Sequence, residues 1–249
     1  MRQRRKYFEV LFVIGFGLVL LELLTRFNFV PSYLLPAPTA VFQSWIENFS
    51  DYRQAFVSTL VSSFLGLFLS GVLGILLALL FSISERVRRL VLPICVFFQT
   101  VPVIAIAPLL VIWFGFGQPT VVVSSMIVSF FPILANALLG LESVPVGQSE
   151  LFYLMKATRI QKLFKLQLPF SVPHIIGGFQ IATGLAVVGA IVGEFVGGGG
   201  LGGLIDSART QQKIEMVFGA VILSSLLGLF LIECLKILSR TTLKKYLLP

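Results

Sequence analysis

The sequence predicts an all-α polytopic membrane protein with six transmembrane helices and one long polar loop, between the fourth and fifth. Three observations carry this. Hydrophobic residues make up 57% of the chain and charged residues only 12%, about half the charged fraction of a soluble domain. Six apolar runs, at about 10–27, 56–83, 90–115, 120–141, 174–196 and 216–238, are separated by polar stretches, and each approximates the ~20 residues that cross a bilayer as a helix. Finally, the basic residues are unevenly shared between the two sides. Six spans put both termini on one side, and that side receives 15 of the 19 Lys and Arg, leaving Arg26, Arg53, Arg209 and Lys213 for the other. Cytoplasmic loops carry such an excess. The expectation is one domain over 1–249, multi-pass in the cell (inner or plasma) membrane, with both termini and the 142–173 loop in the cytoplasm. The net charge of +8 is absorbed by this asymmetry and gives no reason to expect nucleic acid as a partner.

The first run follows Arg2, Arg4, Arg5 and Lys6 and reaches Glu22 and Arg26 without a small-residue cleavage site, so it reads as a retained span rather than a signal peptide. Pro31, Pro36 and Pro38 then interrupt helix, and residues 39–49 suit a short helix against the membrane surface. In the second span Gly66, Ser70, Gly74 and Ala78 are spaced by four, a ridge of small residues that lets helices approach closely in lipid. The third contains Gln99, Thr100, Pro102 and Pro108. Proline inside a span frees backbone carbonyls, which fits either a packing kink or a helix that lines a pathway. After the turn at 115–119 the fourth span carries Pro132 and Asn136.

Residues 150–169, ELFYLMKATRIQKLFKLQLP, form a polar island in which Lys156, Arg159, Lys162 and Lys165 alternate with apolar residues. Short amphipathic helices between a membrane and another protein have this composition. Ser149 and Glu150 supply a helix start, and Pro169 biases Leu168 away from helix, which places the end of the segment there. His174 then falls at the start of the fifth span. Gly178, Ala182, Ala186 and Ala190 make a second small-residue ridge, with Glu194 one step further. A carboxylate there needs water, a partner or a role in the pathway; the structural link to a neighbouring helix is favoured. Gly198, Gly200 and Gly203 fit G-x-G-x-x-G, but they follow a membrane helix and not a strand, so the 197–203 run reads as a flexible loop and not a nucleotide site.

Chemistry is excluded more readily than assigned. One histidine, His174, and two cysteines, Cys95 and Cys234, in apolar runs give no metal-ligand spacing; the cysteines read as small buried hydrophobes. No Walker-type phosphate loop occurs, so no cofactor is expected on this chain.

Residues 150–169 resemble the cytoplasmic docking loop of type I ABC importer permeases. The family pattern opens Glu-Ala-Ala, has a glycine after three more residues and closes Ile-x-Leu-Pro after a further nine. Glu150 and the sequence Leu-Gln-Leu-Pro at 166–169 fall on its two ends, whereas Leu151 and Phe152 stand for the alanines and Lys156 for the glycine. Leu-Pro-Ala-Pro at 35–38, Gln-Thr-Val-Pro at 99–102, Ala-Pro-Leu-Leu at 107–110, Trp-Phe-Gly-Phe-Gly at 113–117, Phe-Pro-Ile-Leu at 131–134 and Gly-Glu-Phe at 193–195 are similar to the nitrate, sulfonate, taurine, bicarbonate and vitamin-precursor branch. The resemblance implies a permease subunit that is not itself an enzyme. It would pair with a second permease, read here as another copy of this chain. It would receive a small solute from an extracytoplasmic binding protein and dock cytoplasmic ABC ATPase subunits that hold ATP and Mg. By the same resemblance Glu150, Lys156, Arg159, Gln161, Lys162, Leu163, Leu168 and Pro169 would meet the ATPase. Pathway candidates are Gln99, Thr100, Pro102, Asn136, Gln180, Thr183 and Glu194, with Ser124 and Ser125 as further polar groups.

Two other classes compete. An ion-coupled secondary transporter or channel would show ionisable groups near the membrane midplane or paired broken helices; here the acids lie near span ends. An intramembrane enzyme would need an ordered polar set, which one histidine does not supply.

Overall fold

The computed structural model describes residues 2–27, 29–31 and 33–246, and side chains at 13, 15–27, 29–31 and 33–239. The described residues form helices and no strand: α1 (Arg2–Arg26), α2 (Pro38–Glu47), α3 (Phe49–Ile83), α4 (Glu85–Thr100), α5 (Val103–Phe114), α6 (Gln118–Glu142), α7 (Val146–Leu154), α8 (Arg159–Lys162), a π-helical turn (Leu163–Gln167), α9 (Leu168–Gly197), α10 (Gly200–Thr210) and α11 (Ile214–Tyr246). Among the described residues four helical stretches are long and apolar enough to cross a membrane, Phe49–Ile83, Gln118–Glu142, Arg159–Gly197 and Ile214–Ser239, or five with α4 and α5 taken together as one bent span. The basic groups at 2–6 and 240–245, counted toward the charge asymmetry, lie outside the described side chains.

The third expected span is not one rod. It divides into α4 and α5, bent by 103°. Pro102 forces the residue before it out of helix, and Val101 sits at φ −75°, ψ 122°. Pro102 then caps α5. Pro93, Pro108 and Pro132 lie inside their helices.

Helices α3, α6 and α9 pack at the centre. Both small-residue ridges are buried, Gly66, Ser70, Gly74 and Ala78 on α3 and Gly178, Ala182, Ala186 and Ala190 on α9. Hydroxyls close the resulting short gaps: Ser124 donates to the Gly189 carbonyl at 2.7 Å, Ser125 to that of Ala186 at 2.8 Å, and Ser70 and Ser129 pair at 2.6 Å. A Cβ at Gly189 would lie 2.9 Å from Ser124 O, so only glycine lets α6 and α9 approach this closely. Phe64, Phe68, Leu226 and Leu229 point outward, as lipid-facing residues should.

Two apolar clusters divide the bundle by end. One joins Ala78 and Phe81 of α3, Leu134, Ala137, Leu138 and Leu141 of α6, and Leu163. The other joins Tyr52 and Ala55 of α3, Val187 of α9, Leu201, Ile205 and Ala208 of α10, and Met216, Ala220 and Leu227 of α11. The 35 residues of α3 separate these ends by about 50 Å at 1.5 Å per residue. The basic residues at 86–89 and 156–165 therefore share one end, and Arg53, Arg209 and Lys213 the other.

Several boundaries differ from the sequence expectation. α7 begins at Val146, not at Ser149 and Glu150; Pro145 is its N-cap residue at φ −57° and ψ 142°, its ring fixing the φ from which the helix starts. Helix does not stop at Leu168. The Leu168 N–H bonds five residues back to the Leu163 carbonyl, and this wider π turn admits Pro169, which has no N–H to give. His174 is consequently inside α9 and exposed. Residues 200–203 belong to α10, leaving only Gly198 and Gly199 as a break. Cys234 is exposed and Cys95 half-buried, both free, so neither is the buried hydrophobe expected.

Candidate docking segment and polar sites

The candidate docking segment is built from α7, a tight reversal, α8 and the π turn. The end of α7 is closed by two backbone bonds, Lys156 N–H to Tyr153 O at 2.9 Å and Ala157 N–H to Phe152 O at 3.0 Å. This pair requires a left-handed residue where glycine is usual, and Lys156 occupies it at φ 52°. The position that departs from the glycine of the resembled pattern thus keeps a glycine-like backbone. α8 then starts with a reciprocal cap: Gln161 N–H donates to Thr158 Oγ1 at 3.2 Å, and Thr158 N–H donates to Gln161 Oε1 at 2.9 Å.

Three ties fix this segment to the bundle. Ser82 Oγ donates to Gln167 Oε1 at 3.0 Å, Gln167 Nε2 donates to Leu141 O at 3.2 Å, and Arg159 donates to Ile83 O at 3.3 Å. Arg88 and Glu142 form an ion pair beside them. Leu163 is 1% exposed among α3 and α6 side chains. It therefore anchors the segment and offers no surface to a partner, contrary to the sequence expectation. Leu168 and Pro169 are half-buried in the first turn of α9, Lys162 is half-buried, and Glu150, Lys156, Arg159 and Gln161 are exposed. Tyr153, Leu154 and Met155, at 83%, 76% and 69% exposure, are strongly exposed too, and none was among the residues expected to meet the ATPase. Their signal was an unbroken apolar run on a loop that has no core to receive it.

The pathway candidates do not converge on one cavity. Gln99 lines a space of about 600 Å³ between α3, α4, α5 and α6, with Leu73, Phe98, Trp113, Met126 and Phe130 among its other walls. Thr100 and Pro102 are exposed beside the break, and the Thr100 hydroxyl donates to Phe97 O at 2.7 Å. Asn136 Nδ2 donates to Pro132 O at 2.8 Å. Thr183 is 1% exposed and donates to Phe179 O at 2.7 Å, while Gln180 is half-buried on α9. Ser124 and Ser125 are spent on the α6–α9 contact described above.

Glu194, 1% exposed, is a joint between helices. Its carboxylate accepts from Thr59 Oγ1 at 2.7 and 3.0 Å and from Gly202 N–H at 2.9 Å, and Thr59 Oγ1 also accepts from Leu201 N–H at 2.8 Å. A second glutamate does the same for α2, where Glu22 accepts from Thr39 N–H at 3.1 Å and Thr39 Oγ1 at 2.8 Å. Among the described residues no group of three or more His, Cys, Asp and Glu is placed to hold a metal ion.

Residues 70–244 match the family model described as "Binding-protein-dependent transport system inner membrane component". The chain is 42% identical over 199 residues to the formylaminopyrimidine transport permease protein ThiX of Halalkalibacterium halodurans, covering 79% of this chain and 80% of that protein. It is 34% identical over 214 residues to a probable ABC transporter permease protein of Haemophilus influenzae, covering 86% and 87%. A solved chain of the MetNI methionine ABC transporter in an inward-facing conformation shares the fold, with a TM-score of 0.60, 22% identity and coverage of 75% of this chain and 97% of that one. Together with the apolar helices, these likenesses show that the chain belongs to the inner-membrane permeases of binding-protein-dependent ABC importers.

Proposed function

We propose that residues 142–169 are the cytoplasmic surface on which a separate ABC ATPase, carrying ATP and Mg, docks, and that two copies of this chain form the transport unit. The carrying observation is the combination at one end of the bundle. Open apolar residues (Tyr153, Leu154, Met155, Ile160 and Phe164) sit among exposed Glu150, Lys156, Arg159 and Lys165. The backbone beneath them is held rigidly through Gln167 and Leu163. Apolar anchors within a charged rim suit a protein partner, and a rigid base lets force pass. An ATPase shifts the permease between states only if it binds them with different free energies, and the rigid base is where that difference can act.

The solute is a small molecule delivered by a binding protein on the other face, and within the vitamin-precursor, sulfonate and oxyanion classes an uncharged heterocycle is the better fit. No Lys or Arg occurs within 56–83, 90–115, 120–141 or 174–196, so no lysine or arginine side chain there would offset an anion's desolvation. Gln99 in an aromatic-walled cavity offers hydrogen bonds of both kinds. The 42% identical relative carries the name of a formylaminopyrimidine permease, whereas a taurine permease of Escherichia coli is 28% identical.

The test is reconstitution of the chain with its ATPase and binding protein. Charge reversal at Arg159, Lys162 and Lys165 is expected to lower both ATPase retention and ATP-dependent uptake. Retention and uptake that stay unchanged would refute the docking assignment.

A further inference from the structure

We propose that Glu194 is the positioning residue that passes movement of α9 to α10, and so to the face opposite the docking segment. The inference rests on the docking assignment above for the source of that movement, and on the geometry here for its delivery.

Helix continues from Arg159 to Gly197, 39 residues without a break, about 58 Å at 1.5 Å per residue. One end of this rod carries the π turn that Gln167 and Leu163 tie to α3 and α6. The other end carries Glu194. Its carboxylate holds the N–H of Gly202, and Thr59, to which it is bonded, holds the N–H of Leu201. Both are among the first N–H groups of α10, which have no partner within their own helix. No cation pairs with Glu194 among the described residues; the positive end of the 11-residue α10 takes that place. The fit leaves no slack. A Cβ at Gly202 would lie 2.8 Å from the Glu194 Cβ and 2.5 Å from Ile191 O, and one at Gly200 would overlap the carboxylate. α10 leads through residues 211–213 into α11, and Leu201, Ile205 and Ala208 of α10 pack with Met216 and Ala220 of α11. Thr59 belongs to α3, so the set joins α10 to both α9 and α3, and displacement of α9 together with α3 carries the α10 N-terminus while this bond set holds. With the set cut, α10 keeps its apolar packing but loses its register on α9.

Glu194 touches no solute in this role; it acts through Thr59 and the α10 backbone. The experiment uses the reconstituted transporter with its ATPase and binding protein, and reads the ratio of solute taken up to ATP hydrolysed. A structural role alone would lower the amount of assembled complex without moving that ratio. For Glu194→Ala and for Thr59→Val the ratio is expected to fall by about tenfold, a typical coupling between sites. It should return to within about twofold of the parent in Thr59→Ser, which restores the hydroxyl, and the double variant should be no worse than the poorer single one. Thr59→Val keeps the shape of the side chain and serves if Glu194→Ala does not assemble. An unchanged ratio in Thr59→Val, or equal ratios in Thr59→Val and Thr59→Ser, would overturn the proposal. ATPase retention after charge reversal at Arg159, Lys162 and Lys165 is scored separately, so failure of the docking assignment is told apart from failure of the transmission step.

Discussion

Ser82, in the last turn of α3, donates its hydroxyl to the side-chain oxygen of Gln167 at 3.0 Å, and the amide nitrogen of the same Gln167 donates to Leu141 O at 3.2 Å. One side chain thereby ties the π turn to two spanning helices. Gln167→Leu keeps the bulk and removes both bonds. The expected loss is about 1–3 kcal/mol of stability, since the Leu141 carbonyl and the Ser82 hydroxyl lose a partner. The thermal midpoint of the purified transporter should fall, and ATP-dependent uptake should fall further than ATP hydrolysis; a midpoint at the parent value contradicts the tie.

Leu163 and Ile160 are three residues apart and face different ways. Leu163 is 1% exposed and Ile160 59%. Leu163→Ala should cost about 2–5 kcal/mol by opening a cavity among Phe81, Leu138 and Leu141. Ile160→Ala should alter stability by no more than about 0.5 kcal/mol but weaken ATPase retention. Denaturation and co-purification of the two variants check this, and the reverse pattern would show that Leu163 faces the partner.

The left-handed backbone of Lys156, φ 52°, is reached by glycine without steric cost. Lys156→Gly should therefore hold stability or raise it by up to about 1 kcal/mol, and Lys156→Val should lower it by about 1 kcal/mol or more, because a β-branched residue is strongly disfavoured there. Thermal unfolding of the two variants against the parent is the check.

Neighbouring glycines on α9 give a control for helix packing. A Cβ at Gly178 would lie 2.8 Å from Asn136 Cβ and 3.1 Å from Pro132 O, while one at Gly177 would meet nothing within 4 Å. Gly178→Ala is expected to cost about 1–3 kcal/mol by forcing α9 from α6. Gly177→Ala should gain up to about 1 kcal/mol from helix propensity. Equal effects in a denaturation series would contradict the close contact of α6 and α9.

What the sequence disclosed follows from physical range. The ridges at Gly66–Ala78 and Gly178–Ala190 were legible because close packing in lipid writes a four-residue period directly into one helix. Residues 150–169 were legible as a polar island between apolar runs. The 103° turn at Val101 was not, since Pro102 announces a break but not its angle. Continuation of helix through Pro169 depends on a π turn that no single residue type signals. α10 was hidden because its cap is not local: Thr59 and Leu201 are 142 positions apart, and the glycines at 198–203 read as slack when two of them, Gly200 and Gly202, are needed for contact with Glu194. Leu163 looked like its apolar neighbours Ile160 and Phe164; only the positions of α3 and α6 distinguish buried from open.

The account depends most on which face of the membrane carries the docking segment. Tyr153, 83% exposed, marks one end of the bundle and Ser207, on α10, the other. In chains with Cys95 and Cys234 replaced by Ser, Tyr153→Cys and Ser207→Cys are to be treated with a membrane-impermeant maleimide in intact cells and again after permeabilisation. The account predicts that Ser207→Cys is labelled in intact cells and Tyr153→Cys only once the membrane is opened; labelling of Tyr153→Cys from outside intact cells would contradict it.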